Sequence, residues 1–271
     1  MEKYMIFFDI DGTLLDEKEH IVPESTKRAL RQAKANGHEI FICTGRCKNI
    51  WPEEILDLGF DGVVGGCGTN IYYHGEELLH AGLPQKMQQQ VAADLTRLHI
   101  DGVLEGKEKS YFRKDYWMPP VVRIFGENGT FSSKCQQFWE DGDLAFDKMA
   151  LWFDETSQMD EFRDLYSDKF EFILRDPTFY EVVPKGYSKA TGIEFLCQHT
   201  GIDLSHTMGI GDSTNDLPML RVTGISIAMG SGNPDIFHEV DYVTDTVMND
   251  GIEKALMKYK LIGGTYMTKS Y

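Results

Sequence analysis

No stretch of this sequence approaches the roughly 20 apolar residues that a membrane-crossing helix needs, so a helical membrane protein is not expected. The first apolar run, Tyr4 to Phe8, meets Asp9 and Asp11 at once and does not read as a secretory leader. A cytoplasmic location is expected. Basic residues are in short supply: 27 Lys and Arg stand against 43 Asp and Glu, a formal net charge of -16. Such a surface repels a phosphate backbone, which argues against nucleic-acid binding as a main activity. It also repels small anions at long range, so a phosphate-ester substrate would need a cation and local positive side chains. Paired cysteines are missing too. Cys43, Cys47, Cys67, Cys135 and Cys197 form no CxxC pair, and their spacing fits no zinc motif. They read as reduced, mostly buried thiols. Cys43 and Cys47 flank a Thr-Gly-Arg motif, and with Cys67 they leave a redox role open. There is no internal repeat and no low-complexity linker.

What is present is an alternation of buried strands and helices at both ends of the chain. Tyr4–Asp9, Glu39–Thr44 and Phe60–Gly65 read as buried strands, with a helix opening at Pro23 and ending at Asn36-Gly37. Asn70–Tyr73 and Glu77–His80 read as a hairpin around His74-Gly75. The pattern returns after Pro184, with helices at Lys189–Thr200, Leu217–Arg221 and Gly251–Lys258 and strands at Thr207–Asp212, Ile225–Met229 and Tyr242–Thr244. This is the signature of a parallel sheet covered on both faces. The middle third differs. Helices are expected over Gln85–His99, Ser132–Glu140 and Ser157–Asp168, and strands at Asp101–Glu105, Ser110–Tyr116, Lys148–Phe153, Glu171–Arg175 and Thr178–Val183. Neighbouring strands mixed with helices suggest an α+β unit with an antiparallel sheet. The expected architecture is α/β: a discontinuous core of residues 1–83 and 184–271, with residues 84–183 inserted as a second domain. A loose tail is expected from Gly263 to Tyr271.

Open parallel sheets hold ligands beyond the carboxyl ends of their strands. Four segments put reactive residues there: Asp9-Ile10-Asp11-Gly12-Thr13, Thr44-Gly45-Arg46, Lys189, and Gly211-Asp212-Ser213-Thr214-Asn215-Asp216. Like charges about 4 Å apart repel by about 4 kcal/mol at an effective dielectric near 20, so clustered carboxylates call for a cation or a shared proton. Asp9, Asp11, Asp212 and Asp216 suit a hard cation with oxygen ligands, most simply Mg²⁺. Asp9 follows a rigid strand, as a nucleophile for phosphorus should. Asp11 suits acid–base work on the leaving oxygen and on water. The Thr44 hydroxyl and the Gly45 amide suit phosphoryl oxygens. Lys189 could join nucleophile and phosphate, with Lys185 competing for that part.

Read together, these segments resemble the haloacid dehalogenase superfamily of phosphohydrolases. FFDIDGTLLD is similar to its first motif, FICTGR to its second, YSKATGI to its third and GIGDSTNDLPML to its fourth. The insertion between the second and third motifs, with AMGSGNPDIFHEVDYVT and NDGIEKAL, resembles the Cof-type branch, which carries a C2B cap on a Rossmann-like core. The resemblance implies a Mg²⁺-dependent phosphatase acting on small phosphate esters. It implies Asp9 as nucleophile and metal ligand, Asp11 as acid/base and metal ligand through its carbonyl, and Asp212 as metal ligand. It further implies Asp216 supporting the metal shell, Thr44 and Lys189 holding phosphate, and Asn215 in the phosphate pocket; Gly45 and Arg46 are expected to bind substrate beside them. Cys67-Gly68-Thr69 stands where the branch commonly has Asn-Gly-Ala, and Ser231-Gly232 where it has Asn-Ala. Other readings of the same residues are a sugar phosphomutase and a signalling receiver phosphorylated on Asp; a dehalogenase has no use for Asp11. In the insertion, Tyr111, Arg113, Tyr116 and Arg123 could touch a ligand or simply form a sheet face. Oligomeric state is not read from the sequence.

Overall fold

Strands from the two ends of the chain lie side by side, because their mostly apolar sequences are stable only when covered on both faces. The computed structural model describes residues 2–125 and 136–263. In the first part of the chain β1 (Met5–Phe8), α1 (Glu24–Ala35), β2 (Glu39–Cys43), α2 (Glu53–Leu56), β3 (Gly62–Gly65), β4 (Asn70–Tyr73) and β5 (Glu76–His80) follow one another. The insertion holds α3 (Gln85–Arg97), β6 (Asp101–Glu105), β7 (Ser110–Phe112), α4 (Pro119–Phe125), β8 (Gln136–Phe138), β9 (Lys148–Trp152), α5 (Met159–Tyr166), β10 (Phe170–Asp176) and β11 (Phe179–Pro184). The chain then returns through α6 (Lys189–Thr200), β12 (Thr207–Gly211), α7 (Leu217–Val222), β13 (Ile225–Ala228), β14 (Tyr242–Val243) and α8 (Gly251–Lys258).

The large sheet has the order β14-β13-β12-β1-β2-β3-β4-β5. It is parallel from β14 to β3, and the β4–β5 hairpin adds an antiparallel edge. In the hairpin turn both His74 and Gly75 take positive φ, which a two-residue turn of this hand requires. Alternate residues of the apolar strands feed two different cores. Ile6 and Phe8 of β1 pack with Ala29 and Leu30 of α1 and Ile252 and Leu256 of α8. Met5 and Phe7 face the other way, with Ile193 and Leu196 of α6 and Met219 of α7. Each large side chain buried in this way stabilises the fold by about 1.5–3 kcal/mol. β1 sits at the centre, with β2 on one side and β12 on the other. The chain reverses direction across the sheet there, and a crevice opens at the strand ends.

The smaller sheet runs β10-β11-β9-β6-β7-β8 and is antiparallel except for the β7–β8 pair. One face packs on α3 and α5 through Leu95, Phe162, Met149 and Leu151. The other face carries Val103, Ala150 and Trp152, with Met118 and Val121 from α4 and the segment before it.

Two readings of the insertion need correction. The helix expected over Ser132–Glu140 is, where described, strand β8 followed by a 3-10 turn at Trp139–Asp141. Gln136–Phe138 pairs in parallel with β7, so pairing with a neighbour overrides local helical pattern. Residues 132–135, including Cys135, lie outside the described residues. The strand expected over Ser110–Tyr116 stops at Phe112, where Arg113 turns back onto Asp115 with Nε 2.7 Å from Oδ1. Helix α4, where the sequence reading places no element, begins on Pro119-Pro120, which fit a first helical turn because the missing N–H costs nothing there. The expected tail lies, beyond Gly263, outside the described residues. No described helix is long and apolar enough to cross a membrane.

Candidate active site

The ends of β1, β2 and β12 meet at one cleft of about 580 Å³, and Lys189 at the start of α6 is held against Asp9 behind it. Asp9 leaves β1 with its backbone N–H bound to Ile210 O of β12 at 3.0 Å, so its carboxylate is carried on the sheet. Lys189 is 1% exposed, and its Nζ lies 2.6 Å from Asp9 Oδ1 and 2.5 Å from Asp216 Oδ1. Lys185, the competing cation, is exposed and its side chain is not in this cleft. Burial lowers the affinity of the Lys189 ammonium for its proton, but Asp216 and Asp9 outweigh it and hold the group charged well above the ordinary lysine range.

Asp9, Asp212 and Asp216 each bring a carboxylate oxygen within 4.8 Å of the others. Burial first, and then the neighbouring acids, push Asp9 up to about 7 and Asp212 up to about 8, against the usual 3.8. Lys189 offsets this for both, but one cation does not balance three acids. A hard divalent cation fits this donor set. Asp216 is committed elsewhere: one oxygen holds Lys189, and the other accepts from the backbone N–H groups of Asp212 at 2.9 Å and Ser213 at 3.0 Å. It therefore braces the loop that presents Asp212. Asp212 reaches in beneath Gly12, where φ is +74° and a Cβ would stand 2.5 Å from Asp212 Oδ2. Only glycine permits both that backbone conformation and that approach.

Asp11 lines the same cleft but stands outside the cluster of three. Arg46 grips it with Nε 2.9 Å from Oδ2 and Nη2 2.6 Å from Oδ1, a bidentate pair. Arg46, expected at the phosphate, lines the cleft with its guanidinium turned to Asp11. Thr44 is 1% exposed, and its Oγ1 accepts from Arg46 N at 3.1 Å. Thr44 lines the cleft, and among the described residues its hydroxyl has no acceptor. Gly45 and Asn215 also line the cleft, and Asn215 Oδ1 accepts from Ser213 Oγ at 2.6 Å.

Of the insertion residues singled out in the sequence, none lines the cleft. Tyr111 and Arg113 are buried in the insertion's own packing, with Arg113 4.7 Å from the Trp117 ring. Arg123 is exposed on α4. The wall facing the cluster is built instead from Lys148, Ala150 and Trp152 of β9, Phe179 and Glu181 of β11, and Glu105 and Arg175. Alternation along LysMetAlaLeuTrp and PheTyrGlu carries this face, a period-2 signal that the sequence does contain. Trp152 and Phe179 stack at 4.3 Å between centroids. Cys43, Cys47 and Cys67 are buried, and burial pushes each thiol up, away from the reactive thiolate form.

A family model described as haloacid dehalogenase-like hydrolase matches residues 6–256. A putative phosphatase of Bacillus subtilis (strain 168), YkrA, is 26% identical over 97% of this chain and 100% of its own. The 5-amino-6-(5-phospho-D-ribitylamino)uracil phosphatase YcsE of the same strain is 26% identical over 95% of this chain and 96% of its own. Among solved structures, the subclass IIB sugar phosphatase BT4131 is 30% identical, with a TM-score of 0.80 over 96% of this chain and 100% of that one.

Proposed function

This chain belongs to the haloacid dehalogenase-like hydrolases, and from that premise we propose that it hydrolyses small-molecule phosphate monoesters in two displacements through a phosphoryl group carried on Asp9. The observation that carries the reading is Lys189, buried between Asp9 and Asp216 with Asp212 beside them. In the first displacement the Asp9 carboxylate forms a bond to phosphorus as the ester bond to the alcohol breaks. Asp11, which first leaves its bidentate pair with Arg46 and takes up a proton, gives that proton to the departing oxygen. In the second, Asp11 takes a proton from water, the water oxygen attacks phosphorus, and the Asp9–phosphorus bond breaks to release inorganic phosphate. Lys189 and the Thr44 hydroxyl stabilise the phosphoryl oxygens throughout, so the protein's main contribution is preorganised positive charge and donors.

Asp9 and Asp212, with the Asp11 carbonyl, would hold Mg²⁺, and Asp216 would steady them. Bound there, the ion offsets the charge of both the carboxylates and the phosphoryl group. The division of labour follows the two sheets: a core of residues 1–83 and 184–271 does the chemistry, and a cap of residues 84–183 covers the alcohol portion. The names of YcsE and BT4131 support a phosphorylated sugar or polyol as substrate. A cytoplasmic setting suits such a metabolite.

The test is release of inorganic phosphate from p-nitrophenyl phosphate and from a panel of sugar phosphates with Mg²⁺. Asp9→Asn should lower turnover by about 10³-fold or more while the protein stays folded, because it removes the nucleophile but leaves Lys189 paired with Asp216. Near-wild-type turnover in that variant would exclude Asp9 as the phosphoryl carrier. Transfer between sugar positions without free phosphate would mark a mutase instead.

A further inference from the structure

Lys148 opens β9, is 3% exposed, and has no part in the chemistry above. Three oxygens surround its Nζ: Glu181 Oε1 at 2.7 Å, Gly45 O at 3.0 Å and Glu105 Oε2 at 3.3 Å. The two carboxylates stand on β11 and β6 of the smaller sheet. The carbonyl belongs to the loop after β2, on the other side of the cleft. Burial disfavours the ammonium, but Glu105 and Glu181 outweigh it and hold Lys148 charged. The same cation overcomes burial at Glu181 and takes that carboxyl down to about 2. Arg175, 3.6 Å from Glu181 Oε2, supplies the second positive charge of this group.

The Gly45 carbonyl and the Arg46 N–H are the two ends of one peptide plane. Lys148 holds the carbonyl end at 3.0 Å, and Thr44 Oγ1 holds the N–H end at 3.1 Å. A planar group pinned at both ends has little freedom to rotate. Its orientation fixes which lobe of the Thr44 oxygen is occupied, and hence where the Thr44 proton points. It also fixes the root of the Arg46 side chain, whose far end grips Asp11. There is no slack in the contact. A Cβ on Gly45 would stand 2.9 Å from Glu181 Oε1, and Cys67 Sγ donates to that same oxygen at 3.2 Å.

We propose that Lys148 is a positioning residue for phosphoryl transfer: a side chain of the cap that fixes the 45–46 peptide of the core and thereby aims Thr44 and Arg46. The inference rests on the phosphatase reading given above. It makes the phosphate-binding loop complete only when the cap is seated on it. It also separates Lys148 from a substrate contact, since its strongest bonds are to the protein itself.

Removing Lys148 alone would leave Glu105 and Glu181 buried without their shared cation, a change that commonly unfolds a protein. The full-length variant for the test is therefore Lys148→Met with Glu105→Gln, which removes one charge of each sign and leaves Glu181 beside Arg175. Lys148→Arg is its conservative partner. Affinity for inorganic phosphate with Mg²⁺ is measured by calorimetry, and kcat/KM is measured on p-nitrophenyl phosphate and on a hexose phosphate. A misplaced loop should weaken phosphate binding about tenfold or more and lower kcat/KM about 10- to 100-fold by the same factor on both esters. Lys148→Arg should fall between wild type and the double variant. Phosphate affinity within twofold of wild type overturns the proposal. So does a loss confined to one ester, which would make Lys148 a contact for the leaving alcohol. If the double variant does not fold, Lys148→Arg carries the same comparison. If the wild type binds phosphate but hydrolyses no ester, the phosphatase reading falls, and the calorimetric arm still decides what Lys148 holds.

Discussion

Gly12 marks the point where the two ends of the chain touch. Its φ of +74° already favours glycine, and the carboxylate of Asp212 occupies the space a side chain would need. Gly12→Ala therefore costs about 1–2 kcal/mol in backbone strain and also displaces Asp212. The two effects have separate readouts. Strain alone lowers the melting temperature and leaves the Mg²⁺ concentration for half-maximal activity unchanged. Displacement of Asp212 raises that concentration severalfold, and the combined outcome is the one expected from a contact of 2.5 Å. An unchanged metal requirement would mean that Asp212 relaxes without consequence. Lys189 is a second residue that breaks a local rule. A lysine at the first position of a helix opposes the positive end of the helix dipole. Asp9 and Asp216 offset that cost here, and local misfits of this sort concentrate where function is built.

The element that delivers Lys189 is α6, and its start is set by a reciprocal cap. Ser188 Oγ accepts from Thr191 N at 3.2 Å, and Thr191 Oγ1 accepts from Ser188 N at 2.9 Å. Ser188→Ala should destabilise the protein by about 0.5–2 kcal/mol. Because Lys189 is the next residue, turnover should drop by more than an exposed cap elsewhere would cause. Denaturant unfolding and kcat measured together separate the two losses. Helices α6 and α8 were legible in the sequence to the residue, and β1, β2, β12 and β13 to within a residue or two at their ends. Those strands are buried on both faces, so composition alone marks them. Within the insertion, β8 and α4 were not legible. A three-residue strand is defined by its partner, and a helix that opens on two prolines looks locally like a break. The cleft wall was not legible for a related reason. Lys148, Trp152 and Glu181 alternate as any sheet face does, and which face turns toward Asp9 depends on how the smaller sheet docks on the larger. Tyr111 and Arg113 had the right chemistry on the wrong face.

At the scale of the whole molecule the dominant fact is negative charge, -16 in all, and the fold concentrates part of it in a cluster of buried Asp9 and Asp216 with half-buried Asp212. Folding draws Asp9 and Asp212 together, raising them to about 7 and about 8 from 3.8. A carboxyl raised by folding contributes its stability fully below its unfolded value and loses it as pH climbs through the folded value. The metal-free protein should therefore lose stability between about pH 4 and pH 8, by on the order of a few kcal/mol, even though most surface acids are already ionised in the upper part of that range. A divalent cation binds the ionised cluster and not the protonated one, so its stabilising effect should grow with pH over the same window. Melting temperatures at pH 6 and pH 8.5, with chelator and with Mg²⁺, give both slopes. The chelated protein should melt several degrees lower at pH 8.5, and Mg²⁺ should restore most of the difference there and little at pH 6. The comparison with Asp212→Asn isolates the share of the acid cluster from that of every other group in the chain. That variant should flatten the chelated slope and blunt the response to Mg²⁺, because one carboxylate remains beside Lys189 with Asp216. A chelated protein equally stable at both pH values, with a metal response independent of pH, would mean that Asp9 and Asp212 do not share a cation.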